Sequence, residues 1–108
     1  MKNLNSVFEL SDMASEPVEK DVTVRELVND DRRRVIQIML RAGAGLKRHN
    51  APEPITVLCL WGTGTFLAGS ELAERQDMQA GTLIALDAAI EHEVSAATDM
   101  SILVTRFK

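Results

Sequence analysis

The sequence predicts an all-β fold, a sandwich or barrel of short strands. Three observations carry this. Runs of branched and apolar residues recur along the chain at intervals of roughly 8–12 residues. Clusters of Gly, Pro, Asn and Asp separate them, and these residues favour turns for definite backbone reasons. The one stretch with helix-favouring composition, Glu71-Leu-Ala-Glu-Arg75, is short.

Taken in order, Val7-Phe-Glu-Leu10 reads as a short edge strand, and Ser11–Lys20, polar with Pro17, as a loop. Val22-Thr-Val-Arg-Glu-Leu-Val28 has branched residues near strand spacing. Asn29-Asp-Asp-Arg32 is a turn signal, because Asn and Asp tolerate left-handed backbone and bond their own main chain. Val35-Ile-Gln-Ile-Met-Leu-Arg41 then reads as a buried strand, so residues 22–41 form a hairpin that Ala42-Gly-Ala-Gly45 ends. Ile55-Thr-Val-Leu-Cys-Leu-Trp61 is fenced by Pro52 and Pro54 before it and by Gly62 and Gly64 after it. Thr65–Ala68 follows, then a Gly69-Ser70 turn. Ser70–Met78 is ambiguous between helix and strand. Thr82–Leu86 and Ser101–Phe107 complete the strands.

Composition bounds the partners. Residues 1–108 are one domain's length, and 45% hydrophobic content is that of a globular chain. A net charge of −4 argues against nucleic acid and anionic membranes as partners. No apolar run is long enough to span a bilayer, and the first ten residues lack the apolar core of a signal peptide. The single cysteine, Cys59, lies in an apolar run and reads as a buried reduced thiol. The expectation is a cytoplasmic domain.

The only two histidines give the sharpest signal. His49 lies in Gly43-Ala-Gly-Leu-Lys-Arg-His-Asn-Ala51-Pro-Glu-Pro-Ile55-Thr-Val-Leu-Cys-Leu-Trp-Gly62. His92 lies in Gly81-Thr-Leu-Ile-Ala-Leu-Asp87-Ala-Ala89-Ile-Glu-His92-Glu-Val-Ser-Ala96. These stretches resemble the two motifs of the cupin family, G-x5-H-x-H-x3-4-E-x6-G and G-x5-P-x-G-x2-H-x3-N. The glycines and the two histidines fall in place. Ala51 stands where the family has its second histidine, and Ile55 where it has glutamate. Asp87, Ala89 and Ala96 replace the proline, glycine and asparagine of the second motif. The resemblance implies a cupin double-stranded β-helix, a jelly-roll barrel of the RmlC-like type, with Ser70–Met78 containing a strand. It covers about residues 43–96.

A metal-dependent cupin holds its cation with three histidines and a glutamate. Of that set this chain keeps His49 and His92, short of the three protein ligands usual for a catalytic site. No cofactor is therefore assigned; if a divalent metal binds at all, these two are its ligands. Glu53 sits between two prolines, two residues early for the motif glutamate. Glu91 and Glu93 face away from His92 if that segment is extended, because side chains alternate. Cys59 is the best spare ligand, though about 13 Å along an extended strand from Ile55.

On that strand Ile55, Val57 and Cys59 share one face, an apolar wall where a metal cupin has a carboxylate. His49, His92, Ile55, Val57 and Cys59 are the expected ligand-binding residues, with no catalytic residue assigned. Imidazole there can bind a carboxylate or hydroxyl. Trp61 is expected at the barrel mouth or in a dimer contact. Arg32-Arg-Arg34 follows Asp30 and Asp31, so it reads as a solvated hairpin end rather than a phosphate site. No Gly-rich phosphate loop, nucleophile elbow or cysteine pair is present.

The expected function is that of a cupin domain binding a small molecule of unassigned identity. One alternative is a metal-dependent dioxygenase or isomerase using His49 and His92. The other is an interaction module with an inert barrel. The residues leave open whether the chain is an enzyme. A small jelly roll has modest burial and open sheet edges. Leu58 and Leu60, facing away from Val57 and Cys59, also need cover. A homodimer with the first forty positions in its interface is expected.

Overall fold

Alternating burial organises the chain. The computed structural model describes residues 4–10 and 18–108. Among them are nine strands: β1 Val22–Asn29, β2 Arg33–Leu40, β3 Gly45–His49, β4 Ile55–Trp61, β5 Gly64–Ala68, β6 Glu74–Met78, β7 Leu83–Leu86, β8 His92–Ala96 and β9 Met100–Phe107. Every second residue of β4 and β5 is buried, the period-two signature of a sheet with one face on a core. The strands form two antiparallel sheets, ordered β1-β2-β9-β4-β7 and β3-β8-β5-β6. Their inner faces meet in one apolar cluster. Leu40, Met100 and Ile102 are fully enclosed on the first sheet, against Phe66 and Val94 on the second. The all-β jelly-roll expectation holds.

The hairpin forms for the reason its sequence indicates. Asp30 Oδ1 accepts the backbone N–H groups of Arg32 and Arg33, both at 3.0 Å, closing the turn between β1 and β2. Arg33 pairs with Asp30 and Arg34 with Glu26, so those cations serve the hairpin end. Gly62 closes the β4–β5 turn at φ 83°, and a Cβ there would lie 2.2 Å from the Asp99 carbonyl oxygen. Glycine is required twice over, by dihedral and by space.

Three details differ from or sharpen the sequence reading. No strand forms over Val7–Leu10. Residues 4–9 carry no regular structure, and Val7 and Phe8 are exposed rather than laid along a sheet edge, so no ladder stabilises that segment. Of the expected loop at 11–20, residues 11–17 lie outside the described residues. The ambiguous Ser70–Met78 stretch becomes a single 3-10 turn, Ser70–Leu72, followed by β6. Five residues of β6 pair in register with β5, from Glu74 opposite Ala68 to Met78 opposite Gly64. Only Met78 in β6 is buried, so the segment has no apolar stripe to dock a helix, and the ladder overrides propensity.

Candidate ligand-binding site

The two histidines reach one another through strand pairing. β3 lies beside β8, and His49 stands directly opposite His92 in the antiparallel register. Opposed residues project to the same face. Their ring centroids are 4.2 Å apart, edge to face at 61°. His92 is buried and lies parallel to Phe66, 5.6 Å between centroids; His49 is exposed at the rim. A β-bulge makes this meeting possible. The pairing shifts register between Leu46, opposite Val94, and His49, opposite His92. Plain alternation from Leu46 would send Arg48 inward and His49 out. The extra residue reverses that, and Arg48 instead pairs with Glu91.

Each imidazole is held by the backbone carbonyl two residues before it. His49 Nδ1 donates to the Lys47 carbonyl at 2.6 Å, and His92 Nδ1 to the Ile90 carbonyl at 3.0 Å. A carbonyl only accepts, so Nδ1 carries the proton, and in a neutral ring Nε2 keeps the lone pair. Burial pushes the His92 pKa below its ordinary value; the Ile90 carbonyl opposes this and the neighbouring His49 adds to it.

Behind the pair lies a cavity of about 140 Å³. Ile36, Ile38, Ile55, Val57 and Val104 form one wall, and Leu46, Phe66 and Val94 the other. Its polar lining consists of the two histidines, Asn50 and Arg106. An apolar cavity near 150 Å³ holds a molecule the size of benzene.

Four of the five expected binding residues line this cavity: His49, His92, Ile55 and Val57. Cys59 does not. It shares their face but lies deeper, fully enclosed, with Sγ turned to the Trp61 and Gly62 carbonyls at 3.6 Å. Burial raises its pKa, so it stays a protonated thiol and packs as a small apolar residue. Trp61 is absent from the cavity wall too. It pairs with Ser101 at the opposite end of β4 from Ile55, half-buried.

Arg106 is a charged cavity-lining residue that sequence reasoning missed. Ile102 and Val104 are buried on the inner face of β9, and Arg106 continues their period of two. A cation on the inward period of a strand was the available signal. Arg106 Nη2 donates to Glu53 Oε2 at 2.9 Å, and that bond foremost holds the Glu53 carboxyl below its usual range.

The donor set does not fit the divalent cation that the motif resemblance implies. Ala51 and Ile55, at the remaining two ligand positions, both border the cavity as hydrocarbon. Among the described residues no third His, Cys, Asp or Glu joins the two imidazoles.

Comparison with known proteins gives the fold its class. No family model and no curated protein sequence matches this chain. Solved structures do. A conserved Streptococcus pyogenes protein of unknown function superposes with TM-score 0.80 at 22% identity, over 98% of this chain and 90% of that one. A cupin superfamily protein from Desulfitobacterium hafniense gives 0.77 at 15%, over 85% and 82%. Salicylate 1,2-dioxygenase from Pseudoaminobacter salicylatoxidans, in its gentisate adduct, gives 0.73 at 15%; 90% of this chain spans 28% of that enzyme. The fold is the cupin fold. Among the described residues no helix is long and apolar enough to cross a membrane.

Proposed function

We propose that this cupin domain binds a small, largely apolar molecule in the cavity behind His49 and His92. The observation that carries this is the paired, backbone-anchored imidazoles bordering a largely hydrocarbon-walled space. Concave apolar sites with a few convergent polar groups are the usual form of small-molecule pockets. The buried, reduced Cys59 suits a protein working in the cytoplasm. A metabolite panel screened by thermal shift tests the reading. A ligand at a hundred times its Kd stabilises by about 2.7 kcal/mol, a readily measured rise in Tm. The rise must disappear in His49→Ala/His92→Ala. A panel of molecules of benzene to benzoate size that moves Tm nowhere counts against the proposal.

A metal-dependent dioxygenase or isomerase remains the runner-up, on the strength of the two imidazoles and the fold shared with salicylate 1,2-dioxygenase. Elemental analysis of protein purified without a histidine tag decides it. Stoichiometric metal, lost in His49→Ala, would favour that reading.

A further inference from the structure

Arg106 has more hydrogen-bonding capacity than the chain uses. Its guanidinium carries five N–H donors, and the Nε and Nη2 hydrogens form one edge that matches the two oxygens of a carboxylate. Here Glu53 takes Nη2 with a single oxygen. Nε is buried with no hydrogen-bond partner among the described residues. An unmet buried donor costs about 1–3 kcal/mol, more when charged. The same residue borders the cavity that Asn50 and the histidines also line.

Glu53 holds this position from a loop. It lies between Pro52 and Pro54, in the segment joining β3 to β4, with no strand ladder fixing it. Its side chain is about three-quarters covered, that of Arg106 slightly less. Lys108 adds positive potential at Glu53. Where Arg106 borders the cavity, its guanidinium is thus held by a single oxygen of one internal carboxylate.

We propose that Arg106 anchors the carboxylate of the cavity's ligand through its Nε–Nη2 edge, displacing Glu53, so that the site selects small monocarboxylic acids with an apolar body. The inference rests on the cavity being the binding site and adds the ligand class. One guanidinium and a hydrocarbon wall match a single negative charge on a body near benzene in size. Bidentate pairing satisfies Nε, and the freed Glu53, at the chain's surface, returns to water.

The probes are benzoate and 3-methylbutanoate, each set against its own primary amide, measured by calorimetry on the full chain. The amide keeps shape and loses charge. Both acids are expected to bind at least tenfold more tightly than their amides. Arg106→Gln should bring acid affinity down to that of the amide. Glu53→Gln, which weakens the internal competitor, should tighten acid binding several-fold and leave the amides unchanged. This second variant keeps the guanidinium, so it decides the matter even if Arg106→Gln fails to fold. Acid and amide binding equally, with neither variant shifting the ratio, would overturn the anchor and leave the cavity reading intact. Failure of both acids to bind at millimolar concentration would also overturn it. The cavity reading then stands or falls separately, on the neutral members of the thermal-shift panel.

Discussion

Ala89 sits at φ 66°, a left-handed conformation that costs a residue with a Cβ roughly 1–2 kcal/mol. Its N–H donates to the Ala51 carbonyl at 2.8 Å, tying the β7–β8 turn to the loop beside the cavity. The turn geometry of the second motif is therefore kept where its glycine is not. Ala89→Gly removes the strain, while the added freedom of the unfolded chain takes back roughly 0.5–1 kcal/mol. A net gain of about 0.5–1 kcal/mol in urea denaturation is expected; a loss would mean that Ala89 makes contacts worth more than its strain. His92 governs a pH response. Its pKa is depressed below the ordinary imidazole value of 6.5, so below that pH the unfolded chain takes up a proton before the native one does. Its contribution to stability is full above pH 6.5 and is lost as pH falls through the lowered native value. Asp30 and Glu53, also lowered, act with the same sign in the carboxylate range. Urea titrations between pH 5 and 7.5 should show stability rising with pH in wild type. His92→Phe, which fits beside Phe66 without titrating, should flatten the upper part of that slope.

At the scale of strands, the end of β3, the loop after it and the start of β4 carry the positions at which the motif resemblance expects metal ligands. His49, Ala51 and Ile55 retain the motif spacing, and all three border the cavity with His92. Ala51→His with Ile55→Glu should restore divalent-metal binding. Ile55 is only 4% exposed, so its replacement buries a carboxylate at a cost of several kcal/mol until a cation neutralises it. The expected signature is a metal-free variant with lowered Tm, recovered on adding zinc or nickel, with calorimetry giving one ion per chain. A folded variant that takes up neither ion would falsify the assignment of those two positions. The strands also show where the sequence is readable. β4 was legible to its end residues, because Pro52, Pro54 and Gly62 bracket strict alternation. β3 was not, since Gly45-Leu-Lys-Arg-His49 shows no alternation, and the bulge that turns His49 inward arises from pairing with β8.

For the whole molecule, the open question of assembly has a physical basis. Val24 on the edge strand β1, Val7 before it and Leu83 on the opposite edge strand β7 are all more than half exposed. Leu58 is only half-buried on the outer face of the five-stranded sheet, and Leu60 is half-buried at the β4 bulge before Trp61. Part of that face is already covered within the chain: Gln37 donates to Ser101 at 2.8 Å, and both are fully buried. We infer a two-fold homodimer that pairs this sheet, with residues from the first forty positions in the interface. Its buried area should be on the order of 1,600 Å² in total. Light scattering at tens of micromolar should give twice the chain mass. Leu58→Glu should shift it to monomer with the far-ultraviolet spectrum unchanged; a monomeric wild type would overturn the inference.

Local chemistry in the sequence determined the strands, the Asp30 turn, the glycine at Gly62 and the spacing that marks His49 and His92. Each depends on residues near one another in the chain: a period of two, a side chain bonding its own backbone, a dihedral that needs glycine. What the site contains was decided by tertiary structure. Arg106 meets Glu53 across half the sequence, Cys59 falls below the cavity because the barrel packs more deeply than its face alone reveals, and His49 reaches His92 only through a bulge. Such long-range pairings depend on which strands and loops the fold makes neighbours. Periodicity along one strand records which face a residue takes, not how far down the barrel it lies or what it meets there.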